Sequence, residues 1–396
     1  MVHPTAQHRS SGLDLLRFVA ILLVIGRHLQ LNESAPAWIR TWNCGGWVGV
    51  DLFFVLSGFL VSSLLFNELR KSGTLNVGRF FVRRAFRILP AFWLCIGISI
   101  VGQLLLNDPP RIRELAGEAF FVQNYLGGVW PHTWSLAVEI HFYLMLPWLM
   151  LWLHRREVAG TNRASDSEPH VASAVLPAIP VCFAAIMMSC FALRCLSFLV
   201  FPEFHARIHL FGTHLRIDSL MLGVYLAWRQ QSTATGKGRT EVRHSGGTLL
   251  LWVTGFLLLA PAFVCPLETS RGIAIAGVTV FALGSGCLVL AAGQLSEASA
   301  TLIRPLSAIG AASYSIYLWH FPVQKWLWPI VQSTTGSTSL YLQVGTVVGC
   351  SCLIGFVLHH ALETPILRLR DCLFPSSIST AKSDTMPFQS RSQKAA

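Results

Sequence analysis

Residues 13–29 spell LDLLRFVAILLVIGRHL, an apolar run of membrane-spanning length that nonetheless carries Asp14, Arg17 and His28. Ionisable groups inside such a run are costly and usually mark function. At about 100° per residue, the eleven steps from Arg17 to His28 complete almost three turns. The two side chains therefore share one stripe, roughly 16 Å apart along the axis. Asp14 lies on that stripe one turn before Arg17. The spacing equally allows a plain interfacial Asp14–Arg17 ion pair and a His28 that satisfies a backbone carbonyl.

The rest of the chain puts that run in a lipid bilayer. Hydrophobic residues make up 53% of the 396 residues and charged residues only 12%, with a mean hydropathy of +0.54. Too few charges are present to cover a soluble surface of this size. The net charge of +11 calls for no nucleic acid, because Lys and Arg collect in short segments between apolar runs. The N-terminal MVHPTAQHRSSG is polar, and the first apolar run ends in IGRHLQLNESA without a small-residue cleavage site, so it is expected to persist as a helix.

The pattern predicts an all-α integral membrane protein with about ten transmembrane helices, near 14–31, 47–66, 86–106, 134–153, 172–200, 209–228, 247–264, 272–292, 306–330 and 338–362. An inside N-terminus puts the Arg- and Lys-rich loops 67–85, 154–171, 229–246 and 293–305 in the cytoplasm. Both termini are then cytoplasmic, and the protein is multi-pass in the plasma (inner) membrane. Residues 1–370 form one transmembrane domain, and the Ser-rich 371–396 a disordered cytoplasmic tail. The ten cysteines lie mostly in apolar runs with no CxxC pair, so no metal is expected. Cys44 and Cys265 share the predicted outer side, but nothing in their spacing joins them.

Two further clusters carry chemistry. In RFFVRRAFRILPAFW (79–93), Arg84 and Arg87 are one turn apart, so two guanidiniums can converge on one phosphorylated ligand. Ordinary anchoring to anionic lipid also explains such arginines. In HTWSLAVEIHFYLMLPW (132–148), Ser135, Glu139 and Tyr143 share a helix face. Matching depths along antiparallel helices set Glu139 beside His28, the arrangement of a carboxylate that orients a general base. Glu139 could instead pair with Arg17 or Arg216 as structural glue.

These segments, together with GGWVGVDLFFVLSGFLVSSLL (45–65) and SYSIYLWHFP (313–322), resemble the membrane-bound acyltransferase-3 family, which O-acylates glycans of the cell envelope or secreted glycans. The resemblance runs from residue 12 to about 367. Its Arg-ten-residues-His motif falls on Arg17 and His28, its Arg-x-x-Arg motif on Arg84 and Arg87, its Trp-Ser-Leu…Glu segment on Trp134, Ser135, Leu136 and Glu139, and an Arg-x-Asp pattern on Arg216 and Asp218. ALETPILRL, with Glu363 and Pro365, resembles the family's last helix. Arg27 departs from the pattern, standing where an apolar residue or another His is expected.

The resemblance implies a cytoplasmic acyl-CoA donor, usually acetyl-CoA, with no bound cofactor, and a glycan or lipid-linked sugar acceptor on the far side of the bilayer. His28 is then the catalytic base with Glu139 and Arg17, while Arg84, Arg87, Asp14, Ser135 and Trp134 bind substrate. A thioester is already activated, whereas a sugar hydroxyl needs a base. Asp51 and Ser57 suit either the same cavity or helix-to-helix hydrogen bonds. His320, before Pro322, suits backbone carbonyls freed by that proline, and His359 and His360, four and three residues before Glu363, suit a local pair rather than a metal site. A transporter or flippase of a lipid-linked sugar also fits many spans with buried charges, although no inverted repeat is evident. A non-catalytic scaffold explains the arginines but not a His in register with an Arg.

Overall fold

Helix α1 (Ser11–His28) confirms the first apolar run as helix and ends on His28 itself, three residues earlier than the spacing of apolar residues predicts. This is a computed structural model, describing residues 10–161, 176–235, 245–295 and 297–375. Beyond α1 the chain forms α2 (Ala37–Gly45), α3 (Val48–Ser72), α4 (Val77–Leu105), α5 (Ile112–Ala119), α6 (Trp134–Thr161), α7 (Ile179–Val200) and α8 (Thr213–Thr235). Then come α9 (Ser245–Leu259), α10 (Val278–Ala292), α11 (Glu297–Ala311), α12 (Ser313–Pro322), α13 (Trp328–Thr335), α14 (Leu340–Leu358) and α15 (Thr364–Leu373). No strand occurs among the described residues.

Among the described residues, seven segments are long and apolar enough to cross a membrane: Val48–Ser72, Val77–Leu105, Pro131–Ala159, Ile179–Val200, Gly246–Val264, Ile273–Ala292 and Leu340–Leu373. The other three expected spans are also helical, but α1 and α8 are diluted by Asp14, Arg17, Arg27, Arg216 and Asp218, and the 306–330 segment is broken between α11 and α12. The chain is a multi-pass membrane protein whose least apolar long helices lie inside the bundle. Of these seven, α3 is the most enclosed, with 67% of its apolar window buried, against 17% for α7, whose Val181, Met188, Leu196 and Leu199 are exposed. Such outward apolar side chains suit lipid, which demands no polar face.

Small residues set the closest contacts. α3 packs most extensively on α8, where a Cβ on Gly58 would collide with the Leu220 carbonyl and one on Gly223 with the Val55 carbonyl. α1 packs on α11 through Gly310, whose face touches the Asp14 backbone. Two buried ion pairs tie the same core together: Arg216–Asp51 at 2.7 Å joins α8 to α3, and Arg194–Asp218 at 2.9 Å joins α7 to α8. Asp51 is thus a helix-to-helix partner. Away from water each charge needs its counter-charge, so losing one partner costs more than the pair contributes.

Local signals at the ends of α3 and α4 position the arginine cluster. Gly73, at φ 66°, closes α3 in the left-handed conformation a Cβ would disfavour, and the Asn76 side chain accepts from Arg79 N at 2.9 Å to cap α4. The helical C-terminus continues through α15 to Leu373, and the rest of the expected tail, residues 376–396, lies outside the described residues.

Candidate active site

Two cavities lie along α1. One, of about 120 Å³, is lined by Arg17, Arg84, Arg87, Ser135, Glu139 and Tyr143. The other, of about 420 Å³, is lined by Arg27, His28, Trp47, His132, Trp134 and Arg216. Only Val50 and Tyr317 line both. They will be called the arginine cavity and the histidine cavity.

The arginine cavity sets three guanidiniums against the single carboxylate of Glu139. Arg17 donates to Asp14 at 2.9 Å, so Asp14, itself buried and outside the lining, orients the arginine. Arg87 pairs with Glu363 at 3.1 Å, and Glu363 also accepts from Ser315 and contacts His359 Nδ1 at 3.0 Å. A π-helical turn, His359–Glu363, carries both of these residues. Arg84 makes no ion pair among the described residues; its guanidinium lies 5.7 Å from the Phe80 ring and 5.6 Å from the Tyr143 ring. It is the arginine with the most unused hydrogen-bonding capacity, as a phosphate ligand requires.

Glu139 does not sit beside His28, which corrects the expected dyad. Its carboxylate accepts from Ser57 at 3.2 Å and Tyr143 at 2.9 Å in the arginine cavity. Nor does it form the alternative ion pair with Arg17 or Arg216, whose partners are Asp14 and Asp51. The reason is a matter of depth. α1 ends on His28 and α6 begins at Trp134, so the two ends meet, and Glu139 lies five residues, about 7 Å, further along α6.

At the depth of His28 stand two histidines instead. His320 Nε2 is 3.1 Å from His28 Nδ1, and His320 Nδ1 is 2.6 Å from the Tyr317 carbonyl. His132 packs its ring 4.7 Å from His320 and stacks on Phe321 at 5.0 Å. Neither was singled out for the site from sequence, although His132 opens the HTWSL segment and His320 precedes Pro322 in SYSIYLWHFP. Trp134 stacks on Phe211 at 4.5 Å in the wall of this cavity. Trp47 Nε1, and Nε and Nη1 of Arg216, are buried donors without a partner among the described residues.

Several groups hold His28 in place. Asn43 Nδ2 lies 2.9–3.1 Å from the carbonyls of Gly26, Arg27 and Leu29, satisfying the open end of α1, while Gln324 donates to the His28 carbonyl. Arg27, the departure noted in the sequence, forms an ion pair with Glu268 across the mouth of the cavity. A carboxylate therefore offsets the charge next to the imidazole.

Between the cavities Tyr317 Oη donates to the His132 carbonyl at 2.5 Å and meets Ser135 Oγ at 2.6 Å. Ser135 thus lines the arginine cavity and its neighbour Trp134 the histidine cavity. The loop carrying His132 is clamped by Glu118, whose carboxylate accepts from Val129 N at 3.0 Å and Thr133 Oγ1 at 2.8 Å. Burial pushes the Glu118 carboxyl up to about 7.

The family description "Acyltransferase domain" matches residues 10–360. Among curated relatives, the "Putative peptidoglycan O-acetyltransferase YrhL" of Bacillus subtilis is 29% identical over 92% of this chain and 56% of that protein. The "O-acetyltransferase OatA" of Staphylococcus aureus is 26% identical over 90% of this chain and 57% of that protein. The "Peptidoglycan O-acetyltransferase OatA" of Listeria monocytogenes is 27% identical, covering 90% and 56%. The chain thus spans a little over half the length of these relatives. No solved structure matches it. With the match to the acyltransferase domain running through both cavities, the chain belongs to the acyltransferase-3 family.

Proposed function

We propose that this protein is a membrane O-acetyltransferase that moves an acetyl group from cytoplasmic acetyl-CoA to a hydroxyl of a cell-envelope glycan, with His28 as general base. One observation carries the reading: an arginine-rich cavity and a histidine-rich cavity meet at Tyr317 and Val50 within one bundle. The arginine side suits the phosphates of CoA, with Arg84 as the main ligand and Arg17 and Arg87 beside it. The thin pantetheine arm extends from one cavity to the other past Ser135 and Tyr317. The Lys- and Arg-rich loops support a cytoplasmic donor side.

On the histidine side the acceptor hydroxyl approaches His28. Its O–H bond breaks as the base takes the proton, the oxygen bonds to the thioester carbon, and the C–S bond breaks. The proton then passes from His28 to the departing CoA thiolate. Trp47 N–H and Arg216 N–H, without a partner among the described residues, can hold the acceptor or the oxyanion of the tetrahedral intermediate. The names of the relatives favour peptidoglycan as the acceptor.

The test uses the full chain in nanodiscs with radiolabelled acetyl-CoA and purified peptidoglycan glycan strands. Label should pass to the glycan, and His28→Ala should lower turnover at least about 10²-fold while acetyl-CoA still binds. Undiminished transfer by well-folded His28→Ala would remove the base. Movement of a lipid-linked sugar without acyl transfer would make the chain a carrier.

A further inference from the structure

The geometry points to His320 as a positioning residue that selects Nε2 of His28 as the basic nitrogen, an inference that rests on the acyl-transfer reading above. The assignment follows from one chain of hydrogen bonds. The Tyr317 carbonyl can only accept, so His320 Nδ1, 2.6 Å away, carries a hydrogen. Neutral His320 then keeps its lone pair on Nε2. That nitrogen is 3.1 Å from His28 Nδ1, and the contact becomes a hydrogen bond only if His28 Nδ1 is the donor.

With Nδ1 protonated, the lone pair of neutral His28 is on Nε2, and His28 lines the histidine cavity. When the acceptor hydroxyl gives up its proton, Nε2 gains the hydrogen and Nδ1–H remains donated to His320. When CoA leaves, the same proton passes from Nε2 to the thiolate. His320 neither gains nor loses a proton in the cycle.

The arrangement has the logic of a base oriented by a third group, with a neutral imidazole in place of a carboxylate. His320 is suited to it because it is fully buried and packed among rings, 4.7 Å from the His132 ring and 5.6 Å from the Tyr317 ring. Pro322 and the π-helical turn Val323–Leu327 follow at once on α12. A histidine serving only the carbonyls near that proline needs no contact with α1.

The experiment combines kinetics with ring-nitrogen NMR on full-length protein in nanodiscs, using acetyl-CoA and peptidoglycan glycan strands as substrates. ¹⁵N-histidine spectra, with His28 identified by the signal lost in His28→Ala, should show neutral His28 with hydrogen on Nδ1. His320→Leu fills the space without an acceptor and should lower kcat roughly 10–100-fold with the acetyl-CoA KM unchanged. His320→Gln offers an amide oxygen where Nε2 stood and should recover most of the loss. The inference is overturned if wild-type His28 carries its hydrogen on Nε2. It is equally overturned if His320→Leu turns over like wild type, or if the Leu and Gln variants are impaired alike. Normal transfer by His28→Ala would instead overturn the base on which the inference rests, whichever tautomer is seen.

Discussion

Arg17 and His28 ride one face of α1, yet Arg17 lines the cavity of about 120 Å³ and His28 the cavity of about 420 Å³. One helix therefore borders both cavities.

Glu139 lies at the arginine end, so its charge should govern donor binding. Glu139→Gln keeps the shape and one oxygen to accept from Ser57 or Tyr143, but removes the only carboxylate among the described residues that line the cavity. The acetyl-CoA KM should change several-fold while the saturated rate stays within about twofold. Steady-state titration of acetyl-CoA checks this, and a loss confined to kcat would return Glu139 to the base.

Arg84 and Arg87 should respond differently although one turn separates them. Arg84→Ala removes an arginine without an ion pair among the described residues, so the acetyl-CoA KM should rise about tenfold or more, with partial recovery in Arg84→Lys. Arg87→Ala strips the ion partner from buried Glu363 and should cost on the order of 3 kcal/mol of stability. Adding Glu363→Gln should restore the stability but not the donor affinity. Thermal unfolding in detergent, run beside donor titration, distinguishes these effects.

Trp47→Phe keeps the ring that meets Phe281 at 5.1 Å and deletes one buried N–H in the histidine cavity. If that group holds the oxyanion, kcat should fall about 10²-fold with the donor KM unchanged. An effect on donor KM alone would assign Trp47 to the other substrate.

Glu118 makes the loop before α6 sensitive to pH. Its carboxyl is raised by burial to about 7, so the folded loop favours the protonated form. The stabilisation is complete below the unfolded value near 4.5 and is lost as pH rises through about 7. Glu118→Gln should flatten the fall in thermal stability between pH 5 and 8, measured by a thiol-reactive melting assay. An unchanged slope would assign the pH dependence to other groups.

Hydropathy and helical periodicity are local properties, which is why so much was legible along the chain. The stripe from Arg17 to His28, the shared face of Ser135, Glu139 and Tyr143, and the one-turn pair Arg84–Arg87 follow from about 3.6 residues per turn, and each segment is helical. The local pair His359–Glu363 was visible for the same reason. Mean hydropathy likewise marked the membrane segments without any knowledge of packing.

Tertiary structure decided which residues meet. Depth across a bundle depends on where each helix ends, and a shift of three residues moves a side chain about 4.5 Å. With α1 stopping at His28 and α6 starting at Trp134, His132 lines the same cavity as His28 and Glu139 does not. Contacts between distant segments, such as His28 with His320 or Arg87 with Glu363, leave no local period to detect. The sequence by itself determined the helices and the faces of their charged residues. Only packing divided those residues between two cavities, because the depth of each side chain is set by its neighbours rather than by its own helix.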